Sequence, residues 1–261
     1  MMPRVYLIAQ TRFDAEAFCA FLVQADATWS RSPSATEAEE LVEAAGRVCY
    51  MSFGPRQSPK TNEDYIRHLI SMGHESVLEH VNWTFIIAGV SRAFTHQLVR
   101  HRVGFAFSQL SQQYHDESEA QFVEPLYLDQ FPAAQAAWHR SVEAARETYR
   151  QIRDAVADEE VRLGLGGQKR ESLRAIRSMA RSVLPNATET KIVVTANARA
   201  VRHFLRVRGA IPGDAEMRLV AAELLKILSD EAPALFFDFR IEQLPDGSPL
   251  VVQRAMAGGG S

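Results

Sequence analysis

The segment NWTFIIAGVSRAFTHQLVRHR, residues 82–102, changes its hydrophobic pattern halfway along its length. Its first part, NWTFIIAG (82–89), is rich in aromatic and β-branched residues, which favour strands. Ser91 then supplies a side chain that can cap a helix, and 91–101 has helical periodicity. A strand that leads directly into a helix predicts a fold of mixed strands and helices.

The same two patterns recur along the rest of the chain. Strands are predicted at 4–10 and 237–244, and 189–197 is predicted as a third strand or as the buried start of a helix. Helical periodicity, with a T-x-x-E capping box before the first helix, predicts helices elsewhere. Their ranges are 36–48, 62–72, 91–101, 132–160, 168–182, 197–208 and 214–230.

These elements predict one α+β domain over residues 1–255, with a central antiparallel sheet flanked by helices. The helices around 130–182 are expected to form an arm. The glycine-rich end, 256–261, is expected to be a flexible tail.

Composition and charge limit the functions that the chain can have. Of 261 residues, 46% are hydrophobic and 23% are charged, values typical of globular soluble proteins. The net charge of -3 supplies no overall positive field, so we expect no nucleic-acid or membrane partner, and any anion site must be local. The start of the chain does not resemble a signal peptide, and a cytoplasmic location is expected.

The cysteines and histidines do not form a pattern typical of a metal site. Cys19 and Cys49 lie among apolar neighbours without a C-x-x-C motif, and we expect buried thiols without a catalytic role. Four of the eight histidines fall within 74–101, but His74 and His80 are six residues apart and match no helical ligand pair. No metal is therefore predicted.

Three clusters of polar residues are candidates for a functional site. RHRVGFAFSQLSQQY (100–114) combines arginines and a histidine with aromatic and uncharged hydrogen-bonding side chains, which suits a flat ring with a phosphate. GHESVLEHVNWTF (73–85) places histidines, a serine and a glutamate before a strand. ARSVLPNATETKIVVTANARAVRHFLRVRGA (180–210) carries several arginines on a short helix, some of which share a face.

Each cluster also has a purely structural interpretation. Arg100 and Arg102 can be solvated cations at a helix C-terminus, and Ser76 or Glu79 can cap a helix. The chain has neither a Walker loop nor a G-x-G-x-x-G turn, so arginine side chains would have to replace a glycine-rich phosphate cradle. This composition favours a nucleotide pocket built from arginines.

The three clusters, in this order, resemble the flavin-dependent thymidylate synthase family over nearly the whole chain. The resemblance rests on GHESVLEH, THQLVRHR, FSQLSQQY, ARSVLPNATET and NARAVRHFLRVR. The family pattern is Arg-His-Arg, seven residues, then Ser. Here Arg100, His101 and Arg102 are intact, but eight residues (103–110) precede Ser111. The extra residue is at Val103 or Gly104.

The resemblance implies a fold, an activity and a set of cofactors. It implies a homotetramer that holds FAD at subunit interfaces, with each active site built from several chains. NADPH would reduce the flavin, and 5,10-methylenetetrahydrofolate would supply a one-carbon unit to carbon 5 of a uridine 5′-monophosphate. No cysteine nucleophile takes part, and dUMP to dTMP is the usual reaction of the family.

The resemblance also implies roles for individual residues. Flavin-contacting positions are matched by His74, Ser76, Glu79, Arg100, His101, Arg102, Asn197, Arg199 and His203. Nucleotide-contacting positions are matched by Gln97, Arg100, Gln109, Ser111, Gln113, Arg181 and Arg208. Catalysis is assigned to Arg208, Ser111 and Arg181. A guanidinium such as that of Arg208 can stabilise negative charge on the ring as carbon 5 becomes nucleophilic.

Two further departures from the family pattern surround the nucleotide positions. Gln113 stands where the family usually has arginine, and Pro212 stands where many members have histidine. Together with the extra loop residue, these two departures leave open the alternative that the chain methylates UMP to 5-methyl-UMP in a nucleoside-antibiotic pathway. Another open alternative is an inactive homologue that binds flavin or a nucleotide. The intact Arg-His-Arg motif, with Ser111, Arg181 and Arg208, argues against the inactive homologue.

Overall fold

The computed structural model describes residues 1–163 and 169–254, so the predicted tail at 256–261 lies outside the described residues. The strands are β1 (Arg4–Gln10), β2 (Asn82–Ser91), β3 (Phe105–Gln109), β4 (Glu189–Asn197), β5 (Phe239–Gln243) and β6 (Pro249–Gln253). The α-helices are α1 (Ala15–Gln24), α2 (Glu37–Tyr50), α3 (Asn62–Ser71), α4 (Arg92–Leu98), α5 (Pro132–Leu163), α6 (Lys169–Ala180), α7 (Ala198–Arg208), α8 (Ala215–Glu231) and α9 (Pro233–Phe236). Short 3₁₀ turns cover Gly54–Arg56, Glu75–His80, Leu128–Gln130 and Arg181–Val183.

Four of the strands form one sheet in the order β1-β2-β4-β3, and β5 pairs with β6 as an antiparallel hairpin. In the larger sheet, Thr11, just after β1, donates its backbone N–H to the carbonyl of Asn82 at the start of β2. Leu110, just after β3, likewise bonds Lys191 near the start of β4. Such end-to-start pairing is antiparallel. The prediction of mixed helices and strands is confirmed, and 189–197 is a strand.

The described chain divides into two compact units, and the first contains α4, α5 and α6. It comprises the described residues of 1–4, 87–100 and 107–193. Helices α5 and α6 pack against each other. Its core includes the fully or almost fully buried residues Val90, Phe94, Tyr149 and Ile176. These apolar contacts hold α4 and the 107–114 segment, which carry several of the predicted site residues.

The second unit comprises the described residues of 5–86, 101–106 and 194–254. In it, α2 packs on α3, while α7 packs on the Glu75–His80 turn and on α8. Its core includes Trp83, Phe204, Met217 and Val251, each at most 1% exposed. The prediction of a single domain over 1–255 stays a prediction.

Helix caps follow the sequence closely in two places. The Oγ of Ser91 accepts from the N–H of Phe94 at 3.0 Å, which starts α4. Thr36 and Glu39 form the reciprocal capping box at the start of α2. In contrast, the Glu75–His80 turn has no side-chain cap, which disfavours the structural alternative in which Ser76 or Glu79 caps a helix.

Four elements were not anticipated, namely α1, β3, α9 and β6. Helix α1 has one buried residue, Leu22, whereas its apolar Phe21 and Val23 are exposed, so helical periodicity is weak. Strand β3 alternates half-buried Phe105 and Phe107 with exposed residues, which is the period of a strand. The aromatic and polar composition of 100–114 favours a ligand pocket and does not by itself predict this strand.

The prediction that both thiols are buried is wrong. Cys19 and Cys49 are exposed. Apolar residues close to them in sequence are exposed as well, since Phe21 in α1 is 39% exposed and Val48 and Tyr50 in α2 are 38% and 74% exposed. Leu22 is buried in α1 while Cys19 is not, and Cys49 lies in the last turn of α2.

Candidate functional site

The predicted site residues divide between the two units. Gln97, Arg100, Gln109, Ser111, Gln113 and Arg181, all matched to nucleotide contacts, lie in the first unit. The second unit contains His74, Ser76, Glu79, His101, Arg102, Asn197, Arg199, His203 and Arg208.

In the first unit, the cation at the start of α4 is held in a partly buried position. The backbone N–H of Arg92 donates to the carbonyl of Thr188 at 3.0 Å, and its Nη2 donates to the carbonyl of Leu110 at 2.8 Å. Its Nε is buried and has no hydrogen-bond partner among the described residues. This side chain has hydrogen-bonding capacity that the described protein does not satisfy.

The electrostatics of Arg92 favour an anion nearby. Burial lowers the pKa of Arg92, Glu117 opposes this effect, and the charge of Arg181 adds to it. Arginine nevertheless remains protonated in proteins. Two guanidiniums that repel each other in a partly desolvated position would be stabilised by a doubly charged group such as a phosphate.

The end of β3 and the turn after it place three polar side chains, Gln109, Ser111 and Gln113, near one another in sequence. Gln109 donates from Nε2 to the hydroxyls of Thr95 at 3.0 Å and Thr190 at 3.3 Å, which fixes its amide. The Oγ of Ser111 accepts from the backbone N–H of Gln113 at 3.3 Å. These contacts shape a tight turn with ordered polar groups.

Four arginines follow the spacing 170, 174, 177 and 181, which places Arg170, Arg174 and Arg177 on one face of α6. The Nε of Arg174 donates to the Oε1 of Gln113 at 3.1 Å, and Arg177 donates to the carbonyl of Tyr114 at 2.8 Å. The guanidiniums of Arg170 and Arg174 lie 5.8 and 5.7 Å from the centre of the Tyr114 ring. A cation therefore lies next to Gln113, where the family pattern has a charged residue.

In the second unit, the GHESVLEH segment meets α7. Glu79 in the 3₁₀ turn accepts from the Nη1 of Arg199 at 2.6 Å, and Glu75 lies 3.9 Å from the Nε of the same arginine. The side chain of Arg199 is half exposed. Two of the predicted flavin-contacting residues, Glu79 and Arg199, are thus brought together as an ion pair at the surface.

The start of α7 is fixed by Asn197 and Gly104. The Oδ1 of Asn197 accepts from the N–H of Ala200 at 2.8 Å, and its backbone N–H donates to the carbonyl of Gly104 at 3.0 Å. Gly104 has φ +74°, and a Cβ there would come within 2.6 Å of the Asn197 amide. Position 104 therefore requires glycine, whereas Val103 is 87% exposed. The extra residue is best assigned to Val103.

The end of α7 brings three predicted site residues together. The Nε of Arg208 donates to the Nε2 of His101 at 3.1 Å. The rings of His101 and His203 lie 6.0 Å apart, centre to centre. Burial lowers the pKa of His101, and Arg208 and His203 add to this effect.

Another arginine of α7 is not available to a ligand. Arg202 is buried and donates from both Nη1 and Nη2 to the carboxylate of Asp238, at 2.7 and 2.8 Å. Burial alone would raise the pKa of Asp238, but the hydrogen bonds and charge of Arg202 outweigh it and lower the pKa. This pair is structural, since both charges satisfy each other.

Four predicted residues are not brought into such contacts within the described part of the chain. His74, Ser76, Arg100 and Arg102 are exposed, and the described residues give their side chains no hydrogen-bond partner. Gln97 is half buried on α4. The structure leaves the first four accessible from solvent.

Sequence reasoning missed two arginines of the first unit as candidate site residues. Arg92 occupies the first turn of α4, where the helix dipole disfavours a cation, and this position could have drawn attention to it. Arg174 belongs to the arginine series on α6, whose spacing is visible in the sequence.

The described residues contain no group of three or more His, Cys, Asp or Glu side chains that could hold a metal ion. In the part of the chain that the structure describes, no helix combines the length and apolar character that spanning a membrane requires.

Comparisons with known proteins give one consistent family. A family model described as thymidylate synthase complementing protein matches residues 33–234. A protein of Mycobacterium avium named flavin-dependent thymidylate synthase is 43% identical over 246 residues, covering 94% of this chain and 93% of that protein. Proteins of the same name from Mycolicibacterium gilvum and Corynebacterium glutamicum are 42% and 40% identical, covering 94% and 90% of this chain and 93% and 92% of theirs.

Proposed function

The chain belongs to the thymidylate synthase complementing protein family, and from this premise we propose that it is a flavin-dependent enzyme that methylates carbon 5 of a uridine 5′-monophosphate. The default substrate is dUMP, which would be converted to dTMP. FAD is the proposed cofactor, NADPH its reductant and 5,10-methylenetetrahydrofolate the carbon donor. The observation that supports a nucleotide substrate most directly is the partly buried guanidinium of Arg92 with Arg181 nearby.

The first unit supplies the proposed phosphate contacts. Arg92 and Arg181 would each donate to phosphate oxygens, and the buried Nε of Arg92 would gain a partner. Ser111 would donate its hydroxyl proton to the same group, since its Oγ already accepts from the N–H of Gln113. The charge of the phosphate relieves the repulsion between the two arginines.

Arg208 is the proposed catalytic group of the second unit. A guanidinium offers parallel N–H donors that match the carbonyl edge of uracil. Negative charge develops on that edge as carbon 5 becomes nucleophilic, and a preorganised cation stabilises this charge more in the transition state than in the ground state.

The donors of the second unit fit a flavin dinucleotide. Arg102 and Arg199 are exposed guanidiniums, and His74 and Ser76 are exposed donors. The surface ion pair of Arg199 with Glu79 costs little to rearrange when a diphosphate approaches. When bound, a reduced flavin supplies the hydride that no side chain can supply. We propose a homotetramer in which several chains contribute to each site, as the resemblance implies.

UMP is a second candidate substrate, and the orientation of the Gln113 amide supports it. Its Oε1 accepts from Arg174, which orients the amide and directs its Nε2 donors elsewhere. A neutral amide beside a separate cation can bond a ribose hydroxyl, a task for which the usual arginine is not needed. The reaction on UMP would give 5-methyl-UMP.

The decisive experiment measures the product. The purified protein should be yellow and should lose this colour with NADPH. It is then incubated with NADPH, methylenetetrahydrofolate and either dUMP or UMP, and the nucleotide is analysed by mass. We expect one added methyl group on one of the two nucleotides. A yellow protein that methylates neither would support the inactive homologue, and a colourless protein that binds nucleotide would support a scaffold without flavin.

A variant tests the preference between the two nucleotides. Gln113→Arg with deletion of Val103 restores the family's charge and loop length, and should shift the kcat/KM ratio toward dUMP if the parent prefers UMP. Val103 is deleted rather than Gly104, because the positive φ of Gly104 and its contact with Asn197 hold the start of α7. A parent with a strong preference for dUMP would exclude the UMP alternative.

A further inference from the structure

The backbone of Arg208 is fixed by its neighbour in sequence. Gly209 donates to the carbonyl of Leu205 at 3.0 Å and accepts from the N–H of Val251 at 3.0 Å. A Cβ at Gly209 would come within 2.7 Å of both the Leu205 carbonyl oxygen and the Val251 side chain. The end of α7 is therefore closely packed. The side chain of Arg208 has several rotatable bonds that this packing does not control.

His101 makes one contact that orients this side chain. An arginine Nε–H can only donate, so the Nε2 of His101, 3.1 Å away, must accept. The imidazole is therefore neutral in this contact, with its proton on Nδ1. Its ring is itself held, since its centre lies 5.8 Å from that of Phe105 and 5.4 Å from that of the buried Phe204.

The surroundings keep the imidazole neutral. The charged and titratable groups that face it are Arg208 and His203, both from α7, and Arg206 lies 3.2 Å from the Nδ1 of His203. Arg102 is its chain neighbour. None of these groups is an acid, so protonation of His101 would add a positive charge among cations.

We propose that His101 is a positioning residue for Arg208, holding the guanidinium by its Nε so that the plane and direction of the fork are set before the nucleotide binds. This inference rests on the proposed function and deepens it. The family resemblance implies a flavin contact for His101, and the contact with Arg208 adds a role toward the nucleotide base.

The contact itself is tested by NMR on the whole protein with ¹⁵N-labelled histidine. The wild type should show His101 as the neutral tautomer with the proton on Nδ1. In Arg208→Met the pKa of His101 should rise, and the tautomer should no longer be fixed. A wild-type spectrum with the proton on Nε2 would overturn the proposal. This measurement needs neither substrate nor turnover.

The positioning role is tested by nucleotide binding, measured by calorimetry with dUMP and UMP. His101→Leu removes the acceptor and should weaken binding on the order of 10- to 100-fold at pH 8. His101→Gln keeps a carbonyl acceptor that does not titrate, and should recover most of that loss. His96→Gln, an exposed histidine of α4, is the matched control and should bind as the wild type does.

The pH profile distinguishes positioning from a general structural defect. In the wild type, affinity should fall below about pH 6.5, the ordinary pKa of histidine, as pH passes through the lowered pKa of His101. His101→Gln should lose this step and keep only the loss of affinity that comes from the nucleotide phosphate, whose second pKa is about 6. Wild-type affinity in His101→Leu, or an unchanged acid step in His101→Gln, would overturn the proposal. If the variants behave as expected but neither nucleotide is methylated, the proposed function fails and the role of His101 stands.

Discussion

Two arginines of the second unit, Arg199 and Arg202, differ from Arg92 of the first unit in how their charges are compensated. In the second unit, Arg199 and Arg202 pair with carboxylates, one at the surface and one buried. In the first unit, Arg92 donates to a carbonyl and has Arg181 as a cationic neighbour. Paired charges stabilise structure, whereas incompletely satisfied cations favour an anionic ligand. The contrast indicates which arginines to test by unfolding and which by binding.

The largest expected effect is on the buried pair of the second unit. Asp238→Asn leaves Arg202 as a buried cation without its carboxylate, and should lower the free energy of unfolding by about 3–5 kcal/mol. Urea unfolding monitored by circular dichroism measures it. Glu242→Gln is the control, because its pair with Arg240 on the same hairpin is exposed. If both variants lost the same small amount, the Arg202 pair would not be structural.

The same pair gives a pH dependence. Because the pKa of Asp238 is lowered in the folded protein, its contribution to stability is present above the ordinary value of 3.8 and is lost as pH falls through the folded value. Unfolding free energies measured between pH 6 and pH 2 should show this loss in the wild type. Asp238→Asn should have a flatter acid profile, and an equally steep profile would assign the loss to other carboxylates.

The next largest effect is expected on nucleotide binding, when the incompletely satisfied cation Arg92 is removed from the first unit. Arg92→Met should raise the KM for the nucleotide on the order of 10- to 100-fold, because a charge-assisted contact to phosphate is lost. The thermal midpoint should not fall, because a partly desolvated cation is removed as well. Arg140→Met, an exposed arginine of α5, is the control. An unchanged KM with a lower midpoint would make Arg92 structural.

The surface pair of the second unit should respond weakly. Glu79→Gln removes the partner of a half-exposed Arg199, and should change the free energy of unfolding by less than about 1 kcal/mol. Flavin retention after gel filtration should be equal or better, since Arg199 loses a competing carboxylate. Weaker retention would mean that Glu79 contacts the flavin itself.

The smallest effect is expected for the thiols of the second unit. Cys19→Ser with Cys49→Ser should change stability by no more than about 0.5 kcal/mol, because both side chains are exposed. Methylation activity should be kept. A folded double variant without turnover would require a thiol in the mechanism.

Capping motifs and hydrophobic periodicity, which depend on residues close in sequence, predicted most helices and strands. They did not predict the contacts between distant segments at the candidate site. Ser91 and Thr36 caps could be anticipated, since a cap depends on residues three apart in sequence. The contact between His101 and Arg208 spans 107 residues, and no pattern in either segment specifies it. Alternation in 105–109 did signal a strand, but the aromatic composition suggested a ligand loop. The exposure of Cys19 could not be predicted from its apolar neighbours, because α1 buries only Leu22 and leaves Phe21 and Val23 exposed.

Helix α7 has eleven residues between its capping Asn197 and the loop that follows Arg208. Such a helix is about 16 Å long, and each residue turns it by about 100°. An added residue within α7 would therefore rotate Arg208 away from His101, whereas one at Val103 extends an exposed loop and leaves the helical register intact. Changes in chain length near the site can accumulate in that loop during evolution, while the length of α7 has to stay constant.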